Sequence, residues 1–93
     1  MNYKKTLATV ALAAFASFSA QAQTEIQWWH SMSGALGEWV GDIAKDFNGK
    51  QKDYKIVPVF KGNYDESMTA AVAAFRAGNA PHILQVFEVG TAT

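Results

Sequence analysis

Cysteine is missing altogether from the 93 residues. That excludes a disulfide framework, thiol catalysis and any cysteine-based metal centre. Histidine is scarce: His30 and His82 are the only two, they fall on different expected elements, and neither has an acidic neighbour at ligand spacing. No metal site is expected. Charge of one sign is also lacking, since eight Lys and Arg balance eight Asp and Glu. A nucleic-acid-binding face would need clustered Lys and Arg on a clearly positive domain, so that class is set aside. The apolar stretch Leu7 to Phe18 falls well short of the ~20 residues that span a bilayer. A glycine-rich phosphate loop, a nucleophile elbow and a Ser, His, Asp arrangement are likewise missing, and Gly34 and Gly37 lack the rest of a dinucleotide fingerprint. No cofactor is expected.

What is present begins with an address. Lys4 and Lys5 precede the apolar stretch, and the small-residue triplet Ala20-Gln21-Ala22 follows it. This is the three-part plan of a secretory signal peptide, with cleavage expected after Ala22. Residues 1–22 hold two of the basic residues and none of the acidic ones, so residues 23–93 carry a mild net charge of −2.

Beyond the leader, periods of two and of three to four alternate. Thr24 to Trp29 has the β-branched and aromatic content of a strand, with Ile26 and Trp28 on one face and Gln27 and Trp29 on the other. A turn, His30 to Gly34, leads to Leu36, Val40, Ile43 and Phe47, whose spacing predicts an amphipathic helix from about Gly34 to Asn48. Ser31 or Ser33 can cap it, and Asn48-Gly49 is the expected left-handed stop. Tyr54 to Phe60 is the second strand, and Pro58, with no N–H to donate, favours an edge or a bulge. Met68, Ala71, Val72 and Phe75 mark a second helix, opened by a capping box between Asn63 and Glu66 and closed by Gly78 and Pro81. Ile83 to Val89, apolar apart from Gln85 and Glu88, reads as a third strand.

The order is βαβαβ, an α/β class in which single-helix crossovers make the strands parallel. All strand carboxyl ends then share one edge, where ligands of open α/β sheets bind. Residues 30–33, 61–64 and 87–90 converge there. Tyr64 and Glu88 stand out because the apolar pattern needs neither. A carboxylate in an apolar strand must be solvated, paired or used to accept from a ligand; an ion pair with Lys61 or Arg76 is the plain alternative for Glu88. Tyr64, at a helix start, offers a phenolic donor where backbone N–H groups favour an anion, the alternative being packing over the helix. His30 and Ser31 are further cleft-lining candidates. Trp28, Trp29 and Trp39 could stack on a sugar, but a strand tryptophan is more often core.

The phrases WHSM, YKIVP, KGNY, AAFRAGNAP and LQVFEVGTAT resemble the amino-terminal lobe of extracellular solute-binding proteins of ABC importers, the family that includes maltose-binding protein. KGNY and QVFEVGTAT are most similar to its glycerol-3-phosphate-binding branch. The resemblance implies the start of a two-lobed periplasmic-binding-protein (type II) fold, with residues 1–22 a signal peptide and 23–93 the first part of the N-terminal lobe. It implies a glycerol 3-phosphate ligand, or a glycerophosphodiester, delivered to a membrane permease. It also implies that Tyr64 and Glu88 touch that ligand, with an arginine for the phosphate, the second lobe and the hinge lying beyond residue 93. Two further readings stand beside it: an oligosaccharide binder of the same family, and a secreted sugar-phosphate enzyme with Glu88 as general base.

Overall fold

The structure, a computed structural model, describes residues 22–89. The expected leader falls outside them apart from Ala22, as does Gly90. Strand β1 (Thr24–His30) is followed by helix α1 (Gly34–Lys50), strand β2 (Tyr54–Phe60), helix α2 (Tyr64–Arg76) and strand β3 (Ile83–Leu84). The strands form a parallel sheet, as the βαβαβ pattern predicts, and their order is β2-β1-β3. Seven residue pairs join β1 to β2, from Thr24 opposite Tyr54 to His30 opposite Phe60. Pro58 lies within β2, and β2 is an edge strand among the described residues, so its missing N–H takes no bond from a central ladder.

Helix α1 does not stop where the sequence suggested. It runs through Asn48 and Gly49 to Lys50, and neither residue is left-handed, the positive-φ residues among those described being Gly34, Gly62 and Gly78. The reason is tertiary. The Asn48 side-chain amide donates to Ile56 O at 2.9 Å and its Oδ1 accepts from Ile56 N–H at 2.8 Å. From the helix surface it therefore satisfies both main-chain groups of one residue on the sheet edge. The helix start also differs in detail: Ser33 occupies the N-cap position but makes no side-chain cap bond. Gly34, at φ +57, makes the turn there, a conformation that costs an L-residue with a Cβ about 1–2 kcal/mol.

Helix α2 opens as expected. Asn63 Oδ1 accepts from Glu66 N–H at 2.8 Å, while Glu66 Oε1 accepts from Asn63 N–H at 3.2 Å. Gly78, just past the C-cap Ala77, has φ +78. Asn63→Ala removes the capping acceptor and is expected to lower stability by about 1 kcal/mol, read as a lower midpoint of chemical denaturation in the full-length protein.

The core is narrow. Among the described residues Trp29, Val40, Ala44 and Ala71 are the buried apolar ones, whereas Leu36, Ile43 and Phe47 on the α1 stripe and Val72 and Phe75 on the α2 stripe are exposed. Both helical stripes are wider than the described sheet beneath them. Strand β3 is shorter than the apolar run that encodes it: pairing covers Trp28 with Ile83 and Trp29 with Leu84, and two flanking bonds join His82 N–H to Gln27 O at 3.2 Å and Gln85 N–H to Trp29 O at 2.9 Å. A parallel strand lasts only as long as its neighbour offers a ladder. Because β1 ends at His30, residues 85–89 leave the sheet.

Candidate functional site

Three chain segments meet at the carboxyl edge of the sheet. The first is residues 30–33, after β1. The second, 61–64, is tied to it by the Lys61 N–H bond to His30 O at 3.0 Å. The third, 85–88, is tied to it by Gln85 Oε1, which accepts from Ser31 N–H at 2.9 Å. Tyr64 and Phe87 close the ring, their centroids 5.3 Å apart at an interplanar angle of 41°, within the range of favourable tilted aromatic pairs. Tyr64 is thus brought beside the segment that carries Glu88, as the topology predicted.

The element under Glu88 is different from expectation. Glu88 was read as the end of a buried strand, but it lies on a short 3₁₀ turn with Val89, and both are exposed. The strand had already ended at Leu84. A carboxylate on an exposed turn bears little of the desolvation cost that a strand interior would impose. The α2 start also differs. Asp65 and Glu66 both lie in its first turn, and the Glu66 N–H is already taken by Asn63, so the positive end of the helix dipole is answered internally. The Tyr64 phenol adds a neutral hydrogen-bond donor at this helix start.

His30 is buried, 6% exposed. Its ring is flanked by Trp28 and Phe60 at centroid distances of 6.1 and 6.0 Å, and its Nδ1 accepts from Met32 N–H at 3.2 Å. Burial pushes its pKa below the ordinary imidazole value, because the charged form loses hydration there. Ser31 is half-buried and its Oγ has no hydrogen-bond partner among the described residues. Trp29 proves to be core, 7% exposed, with Lys61 Nζ 4.0 Å above its ring; Trp39 is exposed at 61% on α1. Neither forms a sugar platform at this edge. Among the described residues no group of three or more His, Asp or Glu could hold a metal ion.

Gln85 is the residue that reading the sequence missed. It was visible as a polar interruption of an apolar run, the same signal that singled out Glu88, yet its role as an acceptor for a loop 54 positions away depends on the fold. An apolar groove of about 260 Å³ lies elsewhere, between α2 and the start of β3, lined by Met68, Val72, Phe75, Pro81 and Leu84 among others. Its walls offer no charged group to a polar ligand.

No protein-family model matches the chain. Individual proteins do. It is 58% identical over 90 residues to the sn-glycerol-3-phosphate-binding periplasmic protein of Yersinia enterocolitica, which covers 97% of this chain and 20% of that protein. The chain is a homologue of these periplasmic binding proteins. The corresponding protein of Yersinia pestis is 61% identical over 84 residues, covering 90% of this chain and 19% of its own length. That of Escherichia coli is 54% identical over 88 residues, covering 95% of this chain and 20% of its own. The chain thus spans about a fifth of the length of these relatives. Each relative is named for binding rather than for a reaction.

Proposed function

We propose that this chain belongs to the solute-binding component of an ABC importer, which captures sn-glycerol 3-phosphate in the periplasm and hands it to a membrane permease without chemical change. The observation that carries the reading is the convergence of residues 30–33, 61–64 and 85–88 at one sheet edge, with Tyr64 packed on Phe87 next to Glu88, in a homologue of proteins named for that ligand. The chemistry fits the two ends of the molecule. A carboxylate repels phosphate, so Glu88 accepts from the glycerol hydroxyls, while the Tyr64 phenol donates to a phosphoryl oxygen. A cationic phosphate contact and the opposite wall of the cleft belong to parts of the full-length protein outside residues 1–93. Closure of two lobes over the ligand would shift a population rather than perform a reaction.

Titration calorimetry of the full-length protein against sn-glycerol 3-phosphate, a glycerophosphodiester and a malto-oligosaccharide tests this directly, with chromatography of the recovered ligand. Tight binding of glycerol 3-phosphate and its unchanged recovery are expected. Preference for the oligosaccharide would make this a sugar binder, and a product would make it an enzyme. Export is checked by mass spectrometry of periplasmic protein, where Gln23 is the expected first residue; an intact Met1 there would refute the leader assignment.

A further inference from the structure

The β1–α1 loop is held by two side-chain acceptors of different character. Gln85 Oε1 takes the Ser31 N–H at 2.9 Å and His30 Nδ1 takes the Met32 N–H at 3.2 Å. Two successive amides are thus fixed by side chains, and between them sits the Ser31 hydroxyl, which has no hydrogen-bond partner among the described residues. The loop also sits hard against the helix it opens. A Cβ at Gly37 would come within 3.0 Å of Met32 O, so the loop lies close to α1 at a position where glycine leaves it room. An amide acceptor such as Gln85 is unaffected by pH. An imidazole nitrogen accepts only while it is unprotonated, and Nδ1 acting as the acceptor puts the neutral ring's proton on Nε2.

We propose that His30 is a positioning residue for the ligand site, pinning the β1–α1 loop through neutral Nδ1 and releasing it on protonation, so that ligand affinity falls in acid. The proposal rests on the ligand reading above for its consequence, but the pin itself is a property of this chain. Protonation converts Nδ1 from acceptor to donor and sets it against the Met32 N–H. Aromatic rings rather than a carboxylate flank the resulting cation. From β2 the ring meets Phe60, and within β1 it meets Trp28. The charge following β2 is Lys61, whose N–H bonds His30 O and whose ammonium lies over Trp29; like charge gives the imidazolium no help. Beyond β3 the loop meets neutral Gln85, and the first turn of α1 holds no acidic residue. Desolvation lowers the His30 pKa from 6.5. The folded state therefore prefers the neutral ring: the contribution is complete above about that value and is lost as pH falls below it. His82 also uses Nδ1 as an acceptor, from Gln27 N–H at 3.0 Å, but at the other end of the β1–β3 pairing.

The test uses the full-length protein with His30→Asn, whose Oδ1 can take the place of Nδ1 without titrating, His30→Phe, which keeps a ring and removes the acceptor, and His82→Asn as a control. Between pH 7.5 and 4.5 the wild type is expected to lose up to about fivefold more affinity for sn-glycerol 3-phosphate than His30→Asn does, the equivalent of one neutral hydrogen bond. Referring the loss to His30→Asn removes the ligand's own second phosphate ionisation, which falls near pH 6. His82→Asn should keep the wild-type difference, and His30→Phe should bind about fivefold more weakly already at pH 7.5. Hydrogen exchange at the Met32 amide reads the pin without ligand. Its protection should drop in acid for wild type, persist in His30→Asn and be lost throughout in His30→Phe. Unchanged Met32 protection in His30→Phe, or equal acid sensitivity in wild type and His30→Asn, overturns the proposal. Absence of any binding at pH 7.5 in wild type would instead count against the ligand reading, with the exchange result still deciding the pin.

Discussion

Trp29→Ala in the full-length protein should reduce the free energy of unfolding by about 3 to 5 kcal/mol, the usual cost of removing a large buried aromatic. Trp29 earns that position by its place on the central strand: it lies opposite Val59 of β2 and Leu84 of β3 and is only 7% exposed. Truncation leaves a cavity that neither neighbouring strand can fill. It also removes the indole N–H that Gln27 Oε1 accepts at 3.1 Å and the ring beneath the Lys61 ammonium, a contact worth about 0.5 to 2 kcal/mol depending on desolvation. Trp29→Phe keeps much of the volume and some of the cation contact and should cost clearly less. Chemical denaturation of both variants checks the ordering. A loss below about 1 kcal/mol for Trp29→Ala, the range of ordinary surface substitutions, would mean that this strand is not the core of the full-length lobe.

Glu88→Gln should weaken glycerol 3-phosphate binding by about 1.5 to 3 kcal/mol, roughly tenfold to somewhat over a hundredfold, as expected for the loss of a charge-assisted hydrogen bond. The substitution preserves shape while exchanging one carboxylate oxygen for a donor, so a ligand hydroxyl that donated to it meets another donor. Tyr64→Phe should cost less, about 0.5 to 1.5 kcal/mol, because the ring stays packed on Phe87 and only the phenolic donor is lost. Thermal melts separate site from scaffold. Both variants should melt near wild type without ligand, and both should lose part of the ligand-induced rise. If Glu88→Gln instead lowers the ligand-free melting temperature and leaves affinity intact, Glu88 is a member of a structural ion pair.

The alternation of short-period and helical-period segments determined the βαβαβ order, and the parallel sheet followed from single-helix crossovers. Those rules act on local pattern and chain connectivity, which is why the approach of residues 30–33 and 61–64 to the segment carrying Glu88 was legible from the sequence as residues 87–90, whereas the tie through Gln85 that starts the third segment at residue 85 was not. The Asn63–Glu66 capping box was legible for the same reason, since its atoms lie within one turn. The tertiary structure alone decided what depends on a distant neighbour. Asn48 stays helical because Ile56 needs its amide. The third strand ends at Leu84 because β1 runs out of ladder at His30, which moves Glu88 from a strand onto a turn. Gln85 becomes a pin of the β1–α1 loop because the sheet brings β1 and β3 side by side, whereas the His30 pin spans only two residues. Apolar spacing encodes which face of an element is greasy, but how far an element extends and what its polar side chains accept are set by partners far away in sequence.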